Sequence, residues 1–354
     1  MDRRRRRDAR PAWVGVGLRR ARSARLDAPV SHRQPICLTS GPRGARRSWA
    51  ALALFVSACV FSSACGGTPT TPSRPTVAVS IFPLFDVVRR IAGERFEVLC
   101  VLPPGRTEHS YEPTPRELAA LAETDLAFAV GLELDGWLTR VVRSAAGDDV
   151  RLVELGPSVE PRRFTPAELG IIGESHDDHG HDHHHGAIDP HFWMDPLRME
   201  RAIDPIVEAL VALDPEGAAE LRARGEAEKA SLRELHAAIE GASQRWRRRD
   251  VVTFHGSFGY FADRYRLRVV AVVEPLPGRE PTPRYVEEVV RALRAAESAA
   301  LFYEPQLDPR PARIVAREAG RTIHELDPLG GTEGRDSYEA LLLHDVAVLD
   351  EALR

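Results

Sequence analysis

From Thr76 onward, short apolar runs alternate with longer runs whose apolar residues recur every three or four positions. "TVAVSIF" reads as a strand, and "LFDVVRRIAG" as a helix closed by Gly93. "FEVLCVLP" is a second strand, stopped by Pro103 and Pro104, with Cys100 as a buried strand residue. "TPRELAALAETD" opens a helix with Thr114 as N-cap and Pro115 at the first helical position. "LAFAVG" and "RLVELG" are further strands. Residues 157–188 are rich in Pro, Gly, His and Asp and read as a long loop, a length uncommon unless functional or disordered.

After "DPHFWMDP" the pattern turns helical. Pro205 either kinks the first helix there or, with Asp204 as N-cap, starts a new one. A second run, Asp214 to about Trp246, places Leu221, Leu232, Leu235, Ile239, Ala242 and Trp246 at roughly helical spacing. The α/β pattern then returns. "DVVTFH", "LRVVAVVEP", "SAALFYEP" and "RTIHELDP" read as strands, with helices between them and a closing helix in "YEALLLHDVAVLDEAL". The sum is an α/β protein. It has two lobes with mainly parallel sheets, joined by one long rigid helix, and any ligand site is expected in the cleft between them.

Charge divides the chain differently. Residues 1–65 carry 14 Arg and 3 Asp, a charge of +11, whereas the rest carries 34 basic and 49 acidic residues, −15, within a net −4. A basic head on an acidic body suggests a separately targeted segment. The acidic body argues against nucleic-acid binding and suits attraction of cations. Ser48–Ser73 has no charge, and its apolar part, Trp49 to Phe61, follows Arg43, Arg46 and Arg47. That run is shorter than the ~20 residues a bilayer needs and reads as a secretory signal peptide. "VSAC" and "SSAC" both look like lipoprotein cleavage sites, so Cys59 or Cys65 is the expected lipid-bearing residue. The expected organisation is a head with signal peptide (1–65) and a tether (66–75). An N-terminal lobe (76–213) with a His-rich loop (174–187), a linking helix (214–246) and a C-terminal lobe (247–354) follow. Localisation is expected outside the cytoplasmic membrane, with membrane contact only through the lipid, and the protein is expected to be a monomer.

Chemistry concentrates at the predicted strand ends. His109 follows "VLPPGRTE", His191 follows the long loop, His255 ends "DVVTFH" and Asp327 ends "TIHELD". Ligands of open parallel sheets gather beyond the carboxyl ends of the strands. Three imidazoles and a carboxylate favour Zn²⁺, whereas Ca²⁺ and Mg²⁺ want mostly oxygen. Glu108, beside His109, offers a second carboxylate that keeps Mn²⁺ open, and Glu304 in "FYEP" ends a strand on the same side. "HDDHGHDHHH" adds His176, His179, His181, His183, His184 and His185, whose imidazoles are mostly neutral at pH 7 and free to bind metal weakly.

The motifs "VLPPGRTEHSYEPTPRELAAL", "DPHFWMDP", "TFHGSFGYFADRY" and "LDPLGG", in that order, resemble those of the periplasmic substrate-binding proteins of zinc and manganese ABC importers, the ZnuA-like type. "EPLPGREPTPRYVEEVV" and "FYEPQLDPRPARIVAREAG" extend the resemblance over residues 76–354. It implies metal ligation by His109, His191 and His255 with Asp327 as fourth ligand. It also implies a permease with its ATPase as partners, and no bond-making chemistry. A histidine in the third motif and a His-rich insert before the second are similar to zinc-specific members. A manganese or iron binder of the same family, a metal-dependent adhesin and a zinc hydrolase are the alternatives. No "HExxH" occurs, and a carboxylate fourth ligand would close the position an enzyme needs open.

Overall fold

The computed structural model describes residues 74–172 and 187–354. Cys59, Cys65 and the run His176–His185, with the expectations placed on them, lie outside the described residues. Among the described residues no helix is long and apolar enough to cross a membrane.

Two four-stranded parallel sheets form. In the first, β1 (Thr76–Val79), β2 (Glu97–Cys100), β3 (Thr124–Ala129) and β4 (Arg151–Glu154) lie in the order β2-β1-β3-β4. In the second, β5 (Asp250–Thr253), β6 (Arg268–Val272), β7 (Ala300–Tyr303) and β8 (Ile323–Glu325) lie in the order β6-β5-β7-β8. The two orders are the same, although the sequence shows no repeat. In each sheet the first strand sits beside both the second and the third, so the order reverses next to it, where parallel sheets open a crevice at their carboxyl ends.

The helices of the first lobe are α1 (Phe82–Ala92), α2 (Pro115–Ala120) and α3 (Gly136–Ala146). Thr114 caps α2 as expected, accepting from the Glu117 amide while the Glu117 carboxylate accepts from the Thr114 amide. Then comes α4 (Pro196–Leu213), which runs through Pro205 without a new start. Pro205 costs the helix one backbone hydrogen bond, at the carbonyl of the exposed residue Arg201.

The long helix, α5 (Ala218–Ser243), has 26 residues, so it is about 39 Å long. It is shorter than the expected 214–246 because Pro215–Gly217 forms a 3-10 turn capped by Asp214. Its buried stripe of Leu221, Leu232, Leu235 and Ile239 packs against α4 and α1. Gly225 permits the close approach, since a Cβ there would stand 2.5 Å from Val207 Cγ2. The second lobe adds α6 (Gly259–Tyr265), α7 (Pro283–Ala295), α8 (Arg310–Ala319) and α9 (Tyr338–Leu353).

The lobes are not independent bodies. One apolar cluster runs from β1 through α4 and α5 to α9, while a smaller one, with Val252, Phe254, Leu301 and Val315, belongs to the second lobe alone. Polar clamps cross the seam as well. The Tyr338 amide at the start of α9 donates to Asp86 of α1, and the Trp193 indole donates to the Pro328 carbonyl at 2.8 Å.

Candidate metal centre

Three segments bring the donors together. Glu108 and His109 stand on the loop between β2 and α2. His191 precedes the 3-10 turn Phe192–Met194, and His255 follows β5 before the turn Gly256–Phe258. One ligand atom from each of Glu108, His109, His191 and His255 lies within 4.8 Å of all the others. His255 Nε2 stands 3.2 Å from His109 Nε2 and 3.3 Å from His191 Nε2. Glu108 Oε1 is 3.7 Å, 3.9 Å and 4.0 Å from the Nε2 atoms of His109, His191 and His255. Four donors about 2.0–2.1 Å from a zinc ion stand about 3.3–3.4 Å apart, so the group is close to a tetrahedral cage.

The outer ring nitrogens fix which face points inward. His191 Nδ1 bonds to Asp189 Oδ1 at 2.8 Å, and His255 Nδ1 stands 2.7 Å from Glu304 Oε2. With Nδ1 as the protonated nitrogen, each Nε2 presents a lone pair to the centre. Bare nitrogens this close repel one another unless a cation lies among them. Glu108 Oε1 is buried without a hydrogen-bond partner, as a donor reserved for such a cation would be.

Electrostatics agree. Burial, then the His255 and His191 charges, drives His109 down to about 2. Burial likewise holds His191 well below its ordinary value, so both rings stay neutral. Burial pushes Glu108 up to about 7. Burial also works to lower His255, but the facing carboxylates, Glu304 first, more than offset it and raise the ring.

The carboxylates behind the rings are themselves held. Ser257 Oγ donates to Glu304 Oε1 at 2.8 Å. Asp189 accepts the His191 amide on Oδ1 and Arg162 Nη1 on Oδ2, the latter at 2.6 Å. Burial raises Asp189 to about 6, and Arg162 opposes that rise. Arg162 also reaches Glu168 and Asp263, and its guanidinium lies 5.8 Å from the Tyr260 ring centre. Sequence reasoning missed Asp189 and Arg162. Asp189 had a signal, since an Asp two residues before a ligand His reaches back to its amide. Arg162 had none.

Asp327, expected as the fourth donor, does not join the group. Its Oδ1 accepts from Gln306 Nε2 at 2.6 Å and from the amides of Leu329 and Gly330. Arg335 Nη1 lies 3.0 Å from its Oδ2. The carboxylate that faces all three Nε2 atoms is Glu108. Glu304 lies behind His255 rather than among the donors. Trp193 packs 5.2 Å from the His191 ring, and Tyr111 packs on Trp137, whose indole donates to the Glu108 carbonyl at 2.8 Å.

The family model described as the periplasmic zinc-uptake complex component A, ZnuA, matches residues 77–352. The manganese-binding lipoprotein MntA of Halalkalibacterium halodurans is 26% identical over 298 residues, covering 81% of this chain and 92% of that protein. The high-affinity zinc uptake system protein ZnuA of Bacillus subtilis is 23% identical over 297 residues, covering 84% and 92%. The zinc-binding lipoprotein AdcA of Streptococcus pneumoniae is 24% identical over 286 residues, covering 80% of this chain and only 56% of that longer protein. A crystal structure of a ZnuA superposes with a TM-score of 0.68 at 25% identity, covering 80% of this chain and 100% of that one. These relatives are binding proteins, not enzymes. Fold, centre and matched motifs thus converge, and the chain belongs to the ZnuA family of metal ABC-transporter substrate-binding proteins.

Proposed function

We propose that this protein captures Zn²⁺ outside the cytoplasmic membrane and hands it to an ABC permease driven by its ATPase. The observation that carries the reading is the donor set, three convergent imidazole nitrogens and one carboxylate oxygen. Zn²⁺ accepts that set at four-coordination, whereas Mn²⁺ is better served by more oxygens. Relatives named for either metal occur, so donor chemistry rather than likeness supports the choice of zinc. The relatives described as lipoproteins support a lipid anchor, which in this chain falls to Cys65 or Cys59. His176–His185, by their composition, serve as a weak accessory metal collector.

Calorimetric titration of Zn²⁺ and Mn²⁺ into metal-stripped protein (residues 66–354), beside a version lacking 174–187, tests this. One tight zinc site that survives the deletion is the expected result. Loss of tight binding with the loop, or tighter binding of Mn²⁺ than of Zn²⁺, refutes the assignment of the centre or of the metal.

A further inference from the structure

The second lobe carries a carboxylate that the centre does not use. Residues just beyond β5, β7 and β8 are His255, Glu304 and Asp327. These strands are neighbours in that order, and the Leu326 amide donates to the Tyr303 carbonyl. Asp327 therefore stands two strand spacings, about 10 Å, from His255 along the same sheet edge. From the other side, Pro328 touches Trp193, whose ring packs on His191. Asp327 is 1% exposed, and its neighbour Pro328 is joined to the His191 ring through Trp193.

Its charge is spoken for. Three N–H donors, from Gln306, Leu329 and Gly330, converge on Oδ1. Oδ2 has one cation among the described residues, Arg335 at 3.0 Å, and no hydrogen bond of its own. Arg335 is held in turn by Glu325 Oε1 at 2.9 Å, and its backbone closes the turn from Gly331. A neighbouring acid, Asp345, accepts the Asp327 amide, and burial keeps its carboxyl well above the ordinary range. An acid, neutral or ionised, supplies no counter-charge to a carboxylate. Without Arg335, Asp327 is a buried carboxylate with an uncompensated oxygen, which a divalent ion in the centre would satisfy.

We propose that Arg335 sets the metal preference of the centre by holding the Asp327 carboxylate out of the ion's coordination sphere. With Asp327 latched, the ion meets three nitrogens and one oxygen, which suits Zn²⁺. With Asp327 released, a second carboxylate enters and coordination rises to five or six with more oxygen, which suits Mn²⁺. The inference rests on the reading of the centre as a metal receptor.

The test titrates Zn²⁺ and Mn²⁺ into the whole chain as wild type, Arg335→Met and the double variant Arg335→Met/Asp327→Asn. The expected result is a Mn²⁺ affinity raised about tenfold in the single variant, with Zn²⁺ changed far less, and a return to wild-type preference in the double variant. An unchanged Mn²⁺ to Zn²⁺ ratio, or a gain that survives Asp327→Asn, overturns the latch while leaving the receptor intact. A wild type that binds neither metal overturns the receptor reading, and the latch with it. If the methionine variant fails to fold, Arg335→Lys keeps the charge but loses the planar fork that spans Glu325 and Asp327. The same ratio then shifts in the same direction by less, and no shift overturns the proposal. A merely structural role for Arg335 weakens both metals together.

Discussion

His191 and His255 differ from Glu108 and His109 in how they are held. Each of the first two faces a buried carboxylate with its outer ring nitrogen and lies against a turn packed into the core. The other two share the loop after β2. His109 Nδ1 has no hydrogen-bond partner among the described residues, and its side chain is 22% exposed against 1% for His191 and 3% for His255. A hollow of about 470 Å³ lined by Arg106, His109, Tyr111, Trp137 and Arg140 opens beside that loop. Half of the centre is therefore backed by buried carboxylates, and half is carried on the loop after β2. A shared apolar cluster and the Tyr338 and Trp193 clamps hold the lobes together.

The largest test of the contrast removes ligands one at a time. His191→Ala or His255→Ala is expected to weaken zinc binding by about a thousandfold, beyond the 10–100-fold typical of losing a ligand's outer partner. His109→Ala, where water can take the empty position, is expected to cost about tenfold less, mostly as faster dissociation. Stopped-flow chelator competition separates these, and equal losses at all three histidines break the comparison.

Next in size is a pH effect on Glu108. Burial raises its carboxyl from 4.5 to about 7, so the fold favours the protonated form. Its stabilising contribution is full below the unfolded value and is lost as pH rises through about 7. Glu108→Gln, neutral throughout, is thus expected to gain stability relative to metal-free wild type between pH 5 and 8, by about 3 kcal/mol at most. The same change weakens zinc binding. Melting curves of the stripped proteins at several pH values check the sign, and a gain on the acid side contradicts it.

Smaller again are Asp189→Asn and Glu304→Gln, each expected to cost about 10–100-fold in zinc affinity and to lower the melting temperature of the metal-bound form accordingly. Calorimetry beside thermal unfolding reads both. The smallest is Trp137→Phe, which removes the pin on the Glu108 carbonyl. It is expected to cost about 1 kcal/mol and to speed zinc release a fewfold, acting on the loop pair alone.

Much of this architecture was legible from local signals. The eight strands and the Thr114 cap follow from apolar period and turn chemistry, which depend on neighbours within a few positions. His109, His191 and His255 were legible because strand ends mark where a parallel sheet can hold a ligand. The break at Pro215–Gly217 was not, because apolar spacing continues across a turn that only Asp214 and the packing of α4 define.

The sequence by itself determined the α/β class, the long connecting helix, the acidic body and the three imidazoles, all properties of composition and short-range periodicity. The tertiary structure decided which carboxylate faces them. Glu108 and Asp327 are both strand-end acids, separated by more than 200 positions, and nothing local ranks them. The choice depends on Arg335 and Gln306 engaging one carboxylate while the loop after β2 leaves Oε1 of the other without a hydrogen bond beside the three Nε2 atoms. Hydrogen bonds and ion pairs act over about 3 Å, and only the packing of the two lobes brings such distant residues within that range.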